Sequence, residues 1–367
     1  MMAFAPLSPA LPHIAEAYSN SPNIEYLTKM VLTAPSLGII ILAPFVGVLI
    51  DFIGRKKVLL FSIILYGFSG ISAIWINSIE ALLLSRLLIG FSLSGIMTSS
   101  TALAGDYFQG EHRQKFIGQR GAFVNYSAVC LNIIGGLLVL IDWKAVFFIF
   151  LTGFIMYPFT YKTIKDDSKN IIKSKLKQSL NITKLPIFLI CVGLILNFFF
   201  NSAFFMVPVQ MPFLLKDIGQ PNPFISGLTT GVSAAAVATA SLFFFKLRKK
   251  LKTYQVFILG ILLVALGFTF LSRITIIELI YPCIIISGAG FGLLQANMFT
   301  WMLDITPSKF RGRISGAVAM TTFSGQFFSP IMYHPFSIHL GNQEAFIVFA
   351  LLMFAISIFV YSLKNIM

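Results

Sequence analysis

The chain consists of long apolar runs separated by short polar connections. A helix needs about 20 mostly apolar residues to cross the hydrocarbon core of a bilayer. Because backbone groups in lipid must be satisfied within their own segment, we predict that each run of this length is a spanning helix. Eleven such runs lie at residues 30–51, 58–77, 79–105, 116–141, 145–161, 185–214, 225–245, 254–272, 276–303, 313–335 and 345–363.

An internal repeat divides these helices into two groups. The pattern Asp–x6–Arg–x4–Gly occurs at the end of two of the runs, 198 residues apart. Repeats of this kind build the two halves of many polytopic membrane proteins. We therefore predict an all-α membrane protein with two pseudo-symmetric six-helix halves, residues 1–161 and 185–367, joined by a polar linker at 162–184. The matched positions are Asp106, Arg113 and Gly118 in the first half and Asp304, Arg311 and Gly316 in the second.

The same comparison gives an expectation for the first helix. Residues 10–15 resemble residues 210–215 at the end of the run 185–214, an offset of 200. We number the run 30–51 as helix 2, so that the run 185–214 is helix 7. The counterpart of the seventh helix would start before residue 1, so the expected content is eleven full spanning helices and a partial first one. The alternative is a short re-entrant or interfacial first segment.

Composition and charge narrow the class of protein. Apolar residues make up 57% of the chain and charged residues 11%, with a net charge of +14. Of the 27 Lys and Arg residues, 22 lie on one side of the predicted membrane, in short clusters between spans, and 4 on the other. This distribution predicts that the basic side is cytoplasmic, in the inner membrane of a bacterium, and argues against nucleic-acid binding. The cysteines and histidines show no metal spacing, and no phosphate-binding loop is present, so no cofactor and no enzyme activity are expected.

The connection after the second helix carries a recognisable signature. Gly47-Val-Leu-Ile-Asp51-Phe-Ile-Gly54-Arg55-Lys56-Lys57 resembles the loop signature GxxxD(R/K)xGR(R/K) of the major facilitator superfamily, with Phe52 where a cation is usual. The resemblance implies secondary transport by alternating access. In that family the cluster locks helix 2 against helix 11 when the transporter faces outward. A simple positively charged membrane anchor is the plainer interpretation.

Each residue of the signature has an expected physical role. Gly47 permits close helix packing, and Gly54 permits a tight turn. Asp51 at the membrane edge needs a cation or a helix N-terminus, and Arg55 lies one turn away. The repeated carboxylates are expected to pair with loop cations, Asp106 with Arg55 for example, as gating salt bridges; the alternative is that they are surface charges. The predicted gating set is Gly47, Asp51, Gly54, Arg55, Lys56, Asp106, Arg113, Asp304 and Arg311.

One cation lies inside a span. Arg86-Leu-Leu-Ile-Gly90 resembles the RxxxG element of the same family, which implies a part in proton coupling. A charged group inside the membrane is costly and should have a polar partner or face water. The alternative is that Arg86 extends to the nearby membrane interface.

Neutral polar residues at mid-helix depth are the candidates for a substrate cavity. Together with 39 phenylalanines, they predict a mostly apolar cavity with uncharged hydrogen-bonding groups. Each residue alone could instead be an interhelical hydrogen-bond partner. The candidates are Asn125, Tyr126, Asn132, Asn197, Asn201, Gln295, Asn297 and Gln326.

Three functions fit these features. The first is a monomeric, proton-coupled exporter of a drug or secreted metabolite, because the Asp-Tyr-Phe after helix 4 and the uncharged cavity resemble the drug-efflux branch. The second is an importer of a small metabolite or siderophore, which the fifth helix favours because Leu131-Asn132 replaces the Gly-Pro that exporters carry before Gly135-Gly136. The third is a non-transporting membrane sensor. The expected partners are a small-molecule substrate, protons and the lipid bilayer.

Overall fold

The computed structural model describes residues 2–108, 110–164, 186–307, 310–364 and 366, and all regular elements in these ranges are helical. A 3₁₀ segment, Ala5–Ala10, leads into α1, and another, Trp143–Leu151, leads into α6. The predicted linker lies, from residue 165 onward, outside the described residues. The helices are α1 (Leu11–Ala17), α2 (Ile24–Ile53), α3 (Arg55–Ile71), α4 (Ile79–Tyr107), α5 (Gly110–Ile141), α6 (Thr152–Thr163), α7 (Ile187–Asp217), α8 (Pro223–Arg248), α9 (Thr253–Leu271), α10 (Ile277–Asp304), α11 (Arg311–Leu340) and α12 (Asn342–Ser362).

The eleven predicted runs all correspond to helices. Ten helical segments in the described ranges are long and apolar enough to cross a membrane. The remaining run is α11, whose 30 residues would extend about 45 Å. Its sequence is interrupted by Thr, Ser, Gln and His, and several of these polar groups face other helices rather than lipid. The prediction of a polytopic all-α membrane protein is therefore confirmed.

The helices form two groups that pack around a pseudo-two-fold axis. In the first group α4 packs against α2 and α3, and α3 packs against α6. In the second, α10 packs against α8 and α9, α9 against α12, and α7 against α11. The groups meet where α5 contacts α8, α11 contacts α2, and α1 contacts α7. If each helix of one half is matched with the helix six numbers away in the other, α5 corresponds to α11 and α8 corresponds to α2. The α5–α8 and α11–α2 contacts are therefore equivalent, as expected for two related halves.

Two contacts lie on this axis itself. The Ser8 hydroxyl donates a hydrogen bond to the carbonyl of Pro208. Lys216 Nζ lies 2.7 Å from Glu16 Oε1. Both contacts join positions 200 residues apart, the offset at which the N-terminal sequence resembles the end of α7. A position that meets its own counterpart must lie on the axis, because only there do symmetry-related residues come together.

Glycines set the distance between helices within and between the halves. A Cβ added to Gly38 of α2 would lie 2.9 Å from the Cα of Gly90 in α4. A Cβ added to Gly227 of α8 would lie 3.2 Å from the Cα of Gly136 in α5. Real Cβ contacts are almost never this short, so at both crossings the absence of a side chain allows the two backbones to touch.

The two ends of the molecule differ. At the end that carries the α1–α2 and α7–α8 connections, which we name the closed end, the two halves are in contact along α1–α7, α2–α11 and α5–α8. At the other end, which carries the basic connections α2–α3 and α8–α9 and which we name the basic end, a Cβ at Gly47, Gly121 or Gly316 would meet nothing within 4 Å. The side-chain contacts between the halves that the described residues show therefore lie toward the closed end.

Candidate functional site

The closed end is held by a seam between α2 and α11. Near its outer limit the rings of Tyr26 and His334 are in contact, with centroids 4.7 Å apart and planes tilted by 35°. Three turns deeper, the hydroxyl of Ser36 donates to Gln326 Oε1 at 3.1 Å. Gln326 was predicted as a cavity residue, and in this conformation it belongs to the contact between the halves.

The tight turn at the basic end has the geometry that the signature predicts. Gly54 separates α2 from α3 with a φ of +99°, a region that side-chain-bearing residues rarely adopt. Arg55 then begins α3, and its guanidinium forms an ion pair with Asp106 at the end of α4 and also donates to the carbonyl of Ala102. Lys56 Nζ lies 5.0 Å from the ring centroid of Tyr161. The cluster thus joins α3 to α4 and α6 within one half.

Other members of the predicted gating set are not engaged. Asp51 is exposed and has no ion pair among the described residues, so the expectation that Arg55 would pair with it is wrong in this conformation. Arg55 is already bound to Asp106. Gly47 has open space around it rather than the predicted close packing, since a Cβ there would meet nothing within 4 Å.

The repeated elements of the second half behave differently from those of the first. Asp304 is exposed at the end of α10 and forms no ion pair in the described ranges. Arg311 does not reach it; its Nε donates to the carbonyl of Thr306 at 3.3 Å and so caps the end of α10. The side chain of Arg113, also in the predicted set, falls outside what the structure describes.

Arg86 is fully buried, so the alternative in which it extends to the interface is wrong. Its guanidinium carbon lies 4.8 Å from the ring centroid of Phe147 and 5.0 Å from that of Phe150. One terminal nitrogen donates a hydrogen bond to the carbonyl of Gly70 at 3.3 Å. Gly70 lies in the last turn of α3, where the carbonyls of a helix lack partners within the helix. Arg86 therefore joins α4 to the end of α3 and to the segment before α6.

A small pocket lies between α7 and α10 in the second half. Its volume is about 10 Å³, room for about one water molecule in this conformation, and three predicted cavity residues line it: Asn197, Asn201 and Gln295. Phenylalanines supply much of the remaining wall, among them Phe204 and Phe291, whose centroids are 5.3 Å apart. Uncharged amides beside aromatic rings are the surroundings that the sequence predicts for a cavity.

The amides of this pocket are held in fixed positions. Asn197 Nδ2 lies within hydrogen-bonding distance of the Thr321 and Thr322 hydroxyls on α11, at 2.8 and 2.9 Å. Asn201 Nδ2 in turn donates to the Asn197 carbonyl at 2.8 Å and to its Oδ1 at 3.1 Å. Among the described residues the buried Asn201 Oδ1 has no hydrogen-bond partner, so it is an acceptor beside the pocket that a donor group of a ligand could satisfy.

The remaining cavity candidates form hydrogen bonds between helices or lie away from the pocket. Asn132 accepts a hydrogen bond from Thr230 at 3.1 Å and so links α5 to α8. Asn297 is buried and donates to the carbonyl of Thr253 at 3.0 Å, which links α10 to α9. For these two the alternative of an interhelical partner is correct. Asn125 and Tyr126 lie on the part of α5 nearer the basic end, away from the pocket, and Tyr126 is 55% exposed.

Lys29 is a buried charge that is not among the residues predicted from the sequence. Its position just before the apolar run 30–51 indicated a loop cation, yet it is fully buried, and its Nζ lies 2.6 Å from Glu25 Oε1. The i,i+4 spacing of Glu25 and Lys29 on α2 was a signal that could have identified the pair. Its aromatic partners could not be identified from the sequence, because they lie on α7 and α11, far along the chain.

Two related helical halves that contact each other through α1–α7, α2–α11 and α5–α8 are the architecture of a transporter that works by alternating access. A family model, the Major Facilitator Superfamily, matches residues 1–330, and the chain belongs to this family. It is therefore a multi-pass membrane transporter for small molecules and not an enzyme. A search among curated protein sequences found no matching relative.

Two solved structures share the fold. The crystal structure of a D-xylose-proton symporter superimposes with a TM-score of 0.81 at 16% identity, covering 98% of this chain and 94% of that one. The inward-open conformation of the xylose transporter XylE from E. coli gives a TM-score of 0.74 at 13% identity, covering 98% and 93%. At such low identity the likeness concerns the fold.

Proposed function

We propose that this transporter carries a small uncharged solute that donates hydrogen bonds, and that its transport is linked to protons. The pocket between α7 and α10 supports this proposal. Its polar lining consists of the amides Asn197, Asn201 and Gln295, and none of the described residues that line it is an Asp, Glu, Lys or Arg. A charged solute would lose its hydration there without gaining a counter-charge, whereas a hydroxyl or N–H donor would satisfy Asn201 Oδ1.

Orientation and direction belong to the same proposal. The positive-inside distribution supports a bacterial inner membrane with the basic end in the cytoplasm, so that the described conformation faces inward. Export is the first candidate, because the Asp-Tyr-Phe after helix 4 and the uncharged polar lining of the pocket resemble the drug-efflux branch. Import is the second candidate, favoured by the uncharged amide pocket and by the sugar-proton symport named for the structurally similar proteins.

Vesicles of known orientation distinguish these directions. Inverted and right-side-out vesicles with an imposed pH gradient are supplied with D-xylose and with a panel of neutral polyols, amides and apolar drugs. Accumulation driven by protons entering the same compartment supports import, and solute movement opposite to protons supports export. Uptake that is insensitive to the gradient would contradict proton linkage.

The unpartnered oxygen of Asn201 leads to a specific prediction. Replacing Asn201 by Leu should reduce affinity for the transported solute by roughly tenfold, because one hydrogen bond to a buried group is lost. The measurement is the ligand-induced rise in melting temperature of the purified protein across the same solute panel.

Asn297→Leu is the matched control for this prediction. It removes an amide that bonds to α9 outside the pocket, so it should lower the melting temperature of the free protein and leave the ligand-induced rise intact. An unchanged ligand response in Asn201→Leu would show that the solute binds elsewhere.

A further inference from the structure

A buried cation lies where three helices meet near the closed end. Lys29 of α2 is 0% exposed, and its Nζ lies 2.6 Å from Glu25 Oε1. The same ammonium lies 4.9 Å from the ring centroid of Phe213 on α7 and 5.7 Å from that of Tyr333 on α11. The charge and its counter-charge therefore come from one half of the molecule, and the aromatic cover comes from the other.

This arrangement makes the burial of Lys29 depend on the conformation of the transporter. A buried ammonium is stable only when a counter-charge and other favourable contacts replace its water. Here the Glu25 carboxylate supplies the charge, and the faces of two aromatic rings add cation–π attraction. When the closed end opens, α2 separates from α7 and α11, so the rings withdraw and water reaches the ammonium.

Glu25 is the member of the pair that solvent can reach, because its side chain is 49% exposed while that of Lys29 is 0% exposed. The other titratable groups on the helices packed here are Tyr26 on α2, Asp217 on α7, Tyr333 and His334 on α11, and His13 and Glu16 on α1. Several are engaged elsewhere: Asp217 accepts from Asn342 at 2.8 Å, Glu16 pairs with Lys216, and His334 contacts Tyr26.

We propose that Glu25 is a proton-binding site and that the Glu25–Lys29 pair acts as a latch on the closed end. A proton from the medium at this end adds to the Glu25 carboxylate and makes it a neutral carboxylic acid, while Lys29 keeps its own proton. The buried ammonium then lacks a counter-charge and is stable only when hydrated, so the equilibrium shifts toward opening of this end. The inference rests on alternating access and is independent of the solute and direction given under Proposed function.

Spin-label distance measurements across the closed end test this proposal without any solute. Nitroxide labels are attached to cysteines introduced at Ser19 and Gln220, in connections of different halves, in a chain whose three native cysteines are replaced by alanine. Distances are recorded in nanodiscs at about pH 7.5 and about pH 3.0, on either side of the range in which glutamate side chains ordinarily titrate. We expect acidification to raise the ratio of long to short distances by about tenfold.

Single substitutions at Glu25 and at Lys29 test the contribution of each charge of the pair. Glu25→Gln should show the long distances at both pH values, and Lys29→Met should show the short distances at both, because no buried charge remains. Glu25→Asp, which keeps the carboxylate, should retain the pH response. Retention of the pH response by Glu25→Gln, or long distances in Lys29→Met, would overturn the proposal.

Two further variants serve as controls. Glu16→Gln neutralises an exposed ion pair that also joins the halves, and such surface pairs contribute little, so its distances should match those of the parent. His334→Phe keeps a ring in contact with Tyr26 and removes a titratable group. Loss of the pH response in His334→Phe alone would assign the proton to His334 and overturn the assignment to Glu25.

Discussion

Replacing Asp51 by Asn should abolish transport while the protein folds and inserts normally. In the described conformation the Asp51 carboxylate is exposed and has no ion pair within the described ranges, so its neutralisation removes no stabilising contact. In the family that the signature identifies, this carboxylate engages the other half only after the basic ends come together. The variant should therefore keep the described conformation and lose the one in which the basic ends of the two halves come together.

Transport and stability are measured separately for this variant. The initial rate for the solute identified in the vesicle panel should fall to at most about one hundredth of the parent rate, since a gating contact worth about 3 kcal/mol corresponds to that factor. The melting temperature should remain within about a degree of the parent value, because surface substitutions away from contacts change stability little.

Glu80→Gln is a suitable control for Asp51→Asn. Glu80 is another exposed carboxylate at the end of a spanning helix, but it lies in the first turn of α4 near the closed end. Its transport rate should match that of the parent. Parent-like transport by Asp51→Asn would remove the gating role from this carboxylate, and a loss of folded protein would show a structural role in its place.

Replacing Gly38 by Val should prevent most of the protein from folding. The Cβ of any side chain at this position would lie 2.9 Å from the Cα of Gly90, so α2 and α4 would have to move apart along their whole contact. Inserting atoms into a packed interior costs about 1–3 kcal/mol. The cost should be higher here because the obstacle is helix backbone, which cannot change rotamer.

Gly47→Val is the matched control for this effect, since it places the same side chain on the same helix where a Cβ meets nothing within 4 Å. Yields of monodisperse protein by size-exclusion chromatography and melting temperatures compare the two variants. We expect Gly47→Val to equal the parent in both. Equal melting temperatures for Gly38→Val and the parent would show that the close crossing of α2 and α4 is not needed.

The fold could be predicted from the sequence because lipid imposes a simple requirement on every segment. Each apolar run had to be a helix, and the offset of about 200 residues placed the halves in register, as the contacts of Ser8 and Lys216 show. Gly54 was predictable for a similar reason, since a chain that reverses direction between two helices within one residue needs a conformation that glycine favours.

The candidate site was harder to predict because depth in the membrane does not reveal which way a side chain faces. Asn197 and Asn297 occupy similar depths on their helices, yet one lines the pocket and the other bonds to α9. The surroundings of Lys29 were even harder to predict from the sequence. Its counter-charge lies one turn away in the sequence, but its aromatic cover comes from helices about 180 and 300 residues further along the chain.

The ion pair between Glu16 and Lys216 has a consequence for the origin of the molecule. Each residue occupies the position equivalent to the other and meets it on the pseudo-two-fold axis. In an ancestral homodimer of identical six-helix subunits, the same residue would have faced itself there, and two glutamates or two lysines at 2.7 Å would repel. Opposite charges can meet at this point only because the two halves of the chain differ in sequence here, so an origin from two copies of one subunit would require divergence at this position.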